Sequence, residues 1–347
     1  MEINKNELIS ILTAAEKISA DIELHIEGNQ LLASSANDVM CYQSSTEIEK
    51  CDEECTFKLD KNVLTILKAL KSNKESKLIL KKDGDSIIIK NGSFKAKVKE
   101  PITSGVKFDI EKENDFTVAF NVGALKSILY AAAVDDSRPI LKGINITFDE
   151  EKLYAVALDG YRADKITLDY KKIRGDISEN VSITIDKDIM ANIISVMDTE
   201  AVMIVSKKQC IFNSNGAIIA CSLLEGDYIK FDSLIKQEKR TEILVNNMAL
   251  REAIHRASIL SGPIGFEVDG INKLLVKSET DALITEEIPI NDIQDNVDIW
   301  FNSRYMIDVV SSISEETLKI EYRDSISPIY IIADNRMALV VPIRKVK

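Results

Sequence analysis

The sequence predicts an α+β chain of three similar domains, each holding two helices and mainly antiparallel sheet. Two patterns carry that reading. One motif recurs six times: an apolar residue, an Asn or Asp, then a stretch with apolar residues at helical spacing. Between these stretches lie strand-like runs joined by hairpin-short turns, which suit antiparallel pairing; parallel strands need long crossovers. A chain of 347 residues also exceeds one ordinary core and asks for two or three domains.

The six motif starts are Ile3-Asn4, Leu59-Asp60, Phe120-Asn121, Ile185-Asp186, Val245-Asn246 and Phe301-Asn302, with the Asn or Asp positions 56, 61, 65, 60 and 56 residues apart. Asn and Asp are favoured N-caps because the side-chain oxygen accepts from a free N–H of the first helical turn. An amphipathic stripe follows each cap. The stripes are Leu8, Ile11, Leu12 and Ala15; Val63, Ile66, Leu67 and Leu70; and Leu125, Ile128 and Leu129. Then come Ile189, Ile193 and Ile194; Leu250, Ile254 and Ala257; and Met306, Val309 and Val310. Pairing the copies places domains at 1–113, 114–240 and 241–347, units that bury a shared face.

The strand signals are Leu78-Ile79-Leu80, Ser86-Ile87-Ile88-Ile89, Ala217-Ile218-Ile219-Ala220 and Ile329-Tyr330-Ile331-Ile332. Asp83-Gly84-Asp85, Asn91-Gly92 and Asn213-Ser214-Asn215-Gly216 mark turns between strands. In the middle of the chain, residues 138–164 read as a Pro-started apolar run, a turn, a second apolar strand from Leu153 to Leu158, and an Asp159-Gly160 corner. An arginine two residues past that glycine, on an apolar rim, makes a surface suited to gripping a partner.

Composition is that of a soluble globular protein, 45% apolar and 29% charged, with no apolar run near the ~18 residues that span a bilayer. Met1-Glu2-Ile3-Asn4-Lys5 lacks the basic-then-apolar layout of a signal peptide, so a cytoplasmic location is expected. Five cysteines (Cys41, Cys51, Cys55, Cys210, Cys221) include no C-x₂-C pair and read as reduced structural residues; no metal or cofactor is expected. No phosphate loop, dinucleotide fingerprint, nucleophile elbow or H-E-x-x-H site occurs. Only His25 and His255 are available for imidazole chemistry, and His25 reads as a strand residue. An enzymatic reading falls back on Asp159 and Arg162, with no reaction attached, so catalysis is not expected.

Net charge is −12, which at first opposes nucleic-acid binding, yet its distribution differs. The six capped stretches together carry +3, so everything else carries −15. Lys61, Lys68, Lys71 and Lys74 form the clearest basic group, with Lys61 and Lys68 opposite the apolar stripe. Arg251, His255 and Arg256 form a second, and Lys126, Lys187 and Arg304 add single cations in the other stretches. Either these are solvated faces, or they line a surface that meets phosphates without reading bases, the acidic exterior turning DNA away elsewhere.

Leu141-Lys142-Gly143, a strand, then Asp159-Gly160-Tyr161-Arg162-Ala163 resembles the middle domain of bacterial DNA polymerase III β subunits, the β sliding clamps. The C-terminal Leu339-Val340-Val341-Pro342-Ile343-Arg344 is similar to that family's closing tail. The likeness spans the chain and is strongest at 120–168, 225–261 and 300–344. It implies three clamp-type domains and a head-to-tail homodimer, with six domains closing into a ring with helices inside. Duplex DNA would thread the hole regardless of sequence. The implied activity is that of a replication processivity factor; the implied partners are the polymerase III α subunit, a clamp loader and other proteins with clamp-binding motifs.

The resemblance further implies a partner-peptide cleft, with Leu141 on its strand wall and Leu158, Gly160, Tyr161, Arg162 and Ala163 at the corner. Ile229 and Leu234 would lie on the segment Glu225-Gly226-Asp227-Tyr228 to Leu234-Ile235, and Val340, Val341, Pro342, Ile343 and Arg344 on the tail. Aliphatic anchors would be buried there, with arginine fixing the peptide's polar groups. Several positions depart from the family pattern. Tyr161 stands where histidine is usual, Ala163 where leucine is usual, Leu158 for threonine and Ile229 for proline. Lys345-Val346-Lys347 runs past the usual end. Ser19-Ala20-Asp21-Ile22-Glu23-Leu24 replaces a segment that normally carries a DNA-contacting arginine.

Overall fold

A computed structural model of the chain describes all residues except 50–53, 73–75, 103–107, 112–114, 136–137, 178–180, 198, 236–237, 260, 271, 281, 292, 294 and 345–347. The chain begins β1 (Glu2–Asn4), α1 (Lys5–Glu16), β2 (Ile22–Glu27), β3 (Gln30–Ala36), β4 (Met40–Glu47), β5 (Cys55–Leu59), α2 (Lys61–Ala69), β6 (Lys77–Asp83), β7 (Ser86–Asn91) and β8 (Phe94–Lys99). It continues β9 (Phe116–Asn121), a 3-10 helix (Val122–Ala131), β10 (Gly143–Phe148), β11 (Lys152–Leu158), β12 (Arg162–Arg174), β13 (Val181–Asp186), α3 (Lys187–Met197), β14 (Glu200–Val205), β15 (Gln209–Ser214) and β16 (Ala217–Ser222). Last come β17 (Thr241–Asn246), α4 (Asn247–Ala257), β18 (Ile264–Gly270), β19 (Lys273–Glu279), β20 (Leu283–Pro289), β21 (Asp295–Phe301), α5 (Ser303–Ser311), β22 (Thr317–Tyr322), β23 (Ile329–Ala333) and β24 (Arg336–Val340).

Strand order repeats three times with an offset of eight. The runs β1-β6-β7-β8, β9-β14-β15-β16 and β17-β22-β23-β24 are one set, and β5-β2-β3-β4, β13-β10-β11-β12 and β21-β18-β19-β20 the other. Among the described residues every strand pairing is antiparallel, as the short connections predict. Two outer strands pair across successive copies. β16 joins β4, from Ala217 opposite Ser44 to Cys221 opposite Met40, and β24 joins β12, from Val340 opposite Arg162 to Arg336 opposite Ile166.

The chain forms two compact units. The first contains Met1–Gly123, Tyr170–Asp176 and Asp188–Leu223; the second contains Ala124–Asp169, Ile177–Lys187 and Leu224–Lys347. The middle copy is divided between them because each of its outer strands is hydrogen-bonded into a neighbouring copy. In the first unit Leu8, Leu12, Val63 and Leu67 of the helices are buried, as are Leu24, Leu78, Leu80, Ile87 and Ile89 of the sheets. The second unit has a core cluster in which Leu250, Ile254, Met306 and Val310 meet Phe266, Leu274, Ile320 and Val340.

Five of the six capped stretches are α-helices. Asn4 and Asp60 cap as predicted: Asn4 Oδ1 accepts from the Asn6 N–H at 2.9 Å, and Asp60 Oδ1 from Asn62 and Val63 at 3.0 Å. Asn246 Oδ1 accepts from Ala249 and Asn302 Oδ1 from Arg304, each at 3.0 Å. The stretch after Asn121 is instead a ten-residue 3-10 helix. Its buried residues explain the difference: Val122, Leu125, Ile128 and Ala131 recur every three residues, the 3-10 repeat rather than the α one. Cys41, Cys210 and Cys221 are buried free thiols and Cys55 is half-buried, whereas Cys51 lies outside the described residues. Burial pushes the Cys221 thiol up to about 12, which keeps it protonated and unreactive. Among the described residues, no helix is long and apolar enough to cross a membrane.

Candidate functional site

The second unit carries an apolar cluster of its own, separate from its main core. Leu141, Val156, Leu158, Ala163, Phe231, Tyr330 and Leu339 are its buried members. Ile140, Tyr228, Ile229, Leu234, Ile235, Ile332, Met337 and Val341 pack against it half-buried. Half-buried aliphatic walls over a buried floor leave the cluster partly open to solvent, as a groove that docks a short apolar segment must be.

Local rules build the groove. Gly143 is required by close approach: a Cβ there would sit 2.4 Å from Thr184 Cγ2 and 3.0 Å from the Ile185 carbonyl. Gly160 turns the β11–β12 corner at φ +94°, and a Cβ on it would meet Arg138 Nη2 at 2.9 Å. Asp159 Oδ1 closes the same corner by accepting from the N–H groups of Tyr161 and Arg162 at 2.9 and 3.0 Å. The Tyr228 hydroxyl donates to the Gly143 carbonyl and accepts from the Leu158 N–H, both at 3.2 Å. It thereby pins the segment before Phe231 to both walls. Burial pushes the Tyr228 hydroxyl well above its usual pKa, so it stays a donor.

Two arginines brace the groove from behind. The Arg162 guanidinium bonds Asp159 Oδ2 at 3.0 Å, Asp308 Oδ2 of α5 at 2.6 Å and the Tyr130 carbonyl at 2.8 Å. It lies 4.4 Å from the Tyr305 ring centroid and 5.0 Å from that of Tyr130. Two residues on, Asp164 is fully buried and takes Arg336 Nε at 2.9 Å and the Tyr130 hydroxyl at 2.6 Å. Arg336 also donates to the carbonyls of Ser312 at 2.7 Å and Ser127 at 3.0 Å. Burial raises the Asp164 carboxyl above the ordinary carboxylate range, against the opposing pull of Arg336. Burial, and then the Asp164 charge, push the Tyr130 hydroxyl well above its usual pKa. This network fastens β12 to β24, the 3-10 helix and the end of α5.

Most of the cleft residues expected from the sequence converge here, with informative exceptions. Leu141, Leu158 and Ala163 lie on the floor and Ile229, Leu234 and Val341 on the walls. Val340 does not: it alternates with Leu339 along β24 and faces the main core, fully buried. Leu339, not singled out from sequence, occupies the groove side. Three of the five N–H donors of Arg162 already serve Asp159, Asp308 and the Tyr130 carbonyl. Tyr161 is 62% exposed and stacks on Tyr305 at 6.2 Å. Pro342 is half-buried and Arg344 exposed; the Ile343 N–H donates to the Trp300 carbonyl at 2.7 Å, outside the apolar cluster. Val156, Phe231, Tyr330 and Met337 were missed, although period-two alternation through Val156-Ala157-Leu158 and Met337-Ala338-Leu339 marks two of the strands.

The basic helical positions divide similarly. Lys61, Lys126, Arg251 and Arg304 are exposed, and Lys187 is half-buried at the start of α3. Lys71 lines a groove of about 370 Å³ with Lys17 and Ser195 in the first unit. Lys68 is bound to Glu16, and Arg256 to Glu286 at 2.8 Å and Glu252 at 3.3 Å, so neither offers a whole free charge. The bond to Arg256 holds the Glu286 carboxyl below the usual range. Lys74 lies outside the described residues. The acidic charge outside the helices is not evenly spread: β6, β7 and β8 carry seven lysines, with only Asp83 and Asp85 among them and their turn.

Residues 121–230 match the family model for the DNA polymerase III beta subunit central domain, and residues 232–343 match that for its C-terminal domain. A beta sliding clamp of Staphylococcus aureus is 25% identical over 248 residues, 66% of this chain and 64% of that relative. The matched stretch thus spans just under two thirds of the curated relative's length. Among solved structures, the Streptococcus pneumoniae DNA polymerase III beta chain is similar at TM-score 0.87 with 20% identity, covering 99% of both chains. The Helicobacter pylori beta clamp, solved bound to a DNA ligase peptide, is similar at TM-score 0.89 with 18% identity and 99% coverage of both. At those identities the structures establish the shared fold.

Proposed function

This chain belongs to the DNA polymerase III beta-subunit family, and on that premise we propose that it is a DNA sliding clamp. It acts without catalysis, holding a polymerase and other partners on duplex DNA that it encircles as a homodimer. The division into domains 1–113, 114–240 and 241–347 is supported by the threefold strand order.

The observation that carries the reading is a mismatch in the sheet edges. Each junction between copies joins the last strand of one run type to the last strand of the other: β16 to β4, and β24 to β12. One strand of each type is left at a sheet end, β8 in the first copy and β20 in the third. An exposed edge is a template for further pairing. If β8 of one chain takes β20 of another by the rule used inside the chain, two chains close on themselves and neither β8 nor β20 is left without a neighbour. The edges are complementary. β8 carries Lys95, Lys97 and Lys99 and no acid, with Phe94, Ala96 and Val98 only half-covered; β20 carries Glu286 and Glu287 and no base, although Lys97 already pairs with Asp83, Glu286 with Arg256 and Glu287 with Lys273.

Inside such a ring, Lys61, Lys71, Lys126, Arg251 and Arg304 would meet phosphates without base readout, with Lys187 beside them. Encirclement needs little affinity, so the modest helix charge is sufficient. The apolar groove of the second unit takes short segments of partner proteins, including a polymerase α subunit and a clamp loader. A second reading, a peptide-binding scaffold that does not encircle DNA, is favoured by the neutralisation of Lys68 and Arg256. Retention on circular DNA separates the two. Protein loaded onto a nicked circle should remain through gel filtration and be released when the circle is cut once. Equal retention on circular and linear DNA would contradict encirclement.

A further inference from the structure

Beside the apolar groove of the second unit lies a cavity of about 620 Å³, walled by β12, β24 and the segment around Phe231. Phe231, Ile235, Ile332 and Met337 line it and also belong to the groove's apolar cluster, so the two depressions share one floor. The rim is polar and ordered in a particular way. Lys165 Nζ bonds Asp232 Oδ1 at 3.0 Å and lies 5.7 Å from the Phe231 ring centroid; Lys152 bonds Asp169. The carboxylates are the outermost groups: the Asp232 and Asp169 side chains are 78% and 88% exposed, against 22% and 44% for the lysines they pair with. Asp334, exposed at the tip of the β23–β24 turn, belongs to neither pair. That turn is fixed, since the Thr167 N–H donates to the Asn335 carbonyl at 2.8 Å and Asn335 Nδ2 donates to the Thr167 carbonyl at 3.1 Å.

We propose that this cavity is a second subsite of the partner groove, and that it takes a lysine or arginine flanking the apolar anchors of the bound segment. An apolar floor under a carboxylate rim matches a side chain with an aliphatic stem and a cationic tip. The stem covers Ile332 and Met337 while the tip reaches Asp334. An acidic residue finds the two ammonium groups already engaged and meets Asp334, the carboxylate that belongs to neither pair, at the mouth. Continuity of the floor makes the occupant an extension of the groove-bound peptide, so the inference rests on the peptide-groove reading above. The subsite sorts partners that share the same anchors by the charge next to them.

The test uses the full-length protein and synthetic peptides carrying adjacent leucine and phenylalanine anchors, with alanine, lysine or glutamate scanned through the flanking positions. Affinities are read by fluorescence anisotropy. At one flanking position lysine should bind 3- to 10-fold tighter than alanine, and glutamate weaker than alanine. Asp334→Asn should bring the lysine peptide within twofold of the alanine peptide and leave the alanine peptide unchanged. If lysine gains less than twofold everywhere, or its gain survives Asp334→Asn, the subsite is wrong while the groove stands. If the anchor peptides do not bind at all, the groove reading falls and the subsite with it.

Discussion

Replacing Arg336 by Met probes the bracket that holds the groove together. The Arg336 side chain is 4% exposed and that of its partner Asp164 is wholly buried. Removing the guanidinium strands a buried carboxylate with the Tyr130 hydroxyl as its remaining neutral donor and frees the carbonyls of Ser312 and Ser127. Breaking a buried pair from one side costs about 3–5 kcal/mol. Hydrogen exchange at the β12 and β24 amides, whose opening must break this pair, should therefore accelerate by roughly two to four orders of magnitude. Peptide affinity should fall with it, because the β12–β24 register sets Ala163 opposite Leu339 on the groove floor. Replacing both partners, Asp164→Leu with Arg336→Met, removes the stranded charge and should recover most of the loss. Exchange accelerated less than tenfold in the single variant, or a double variant worse than the single, would refute this account of the bracket.

The facing of β24 gives a paired prediction. Leu339→Ala should weaken peptide binding with modest loss of stability, whereas Val340→Ala should cost about 1–3 kcal/mol of stability with peptide affinity nearly intact; the reverse pattern would place the groove on the wrong side of the strand. The closing edges give another. Lys95→Glu with Lys97→Glu should weaken dimerisation at least tenfold at low salt, and adding Glu286→Lys with Glu287→Lys should restore part of it. No recovery would exclude β20 as the partner of β8.

Features repeated along the chain were legible in the sequence. The caps at Asn4, Asp60, Asn246 and Asn302, and the apolar stripes behind them, follow from local hydrogen bonding and helical spacing. The 3-10 helix was legible in principle, since Val122, Leu125, Ile128 and Ala131 keep a period of three. Long-range pairing was not. Asp164 and Arg336 are 172 residues apart, and nothing local to either shows that they will be buried together. Only the corner that carries Arg162 is visible in sequence, while Asp308 and Tyr305 arrive from α5. Charge summed over helices and strands also misled. It could not show Lys68 bound to Glu16, nor the lysines gathered on β6–β8 while the chain as a whole is acidic.

Solution mass tests the closing of the sheet edges most directly. Sedimentation equilibrium at micromolar concentration should return twice the 38.7 kDa of the chain, with dissociation rising as salt is added. A single species of 38.7 kDa across that range would leave β8 and β20 without partners and contradict the ring.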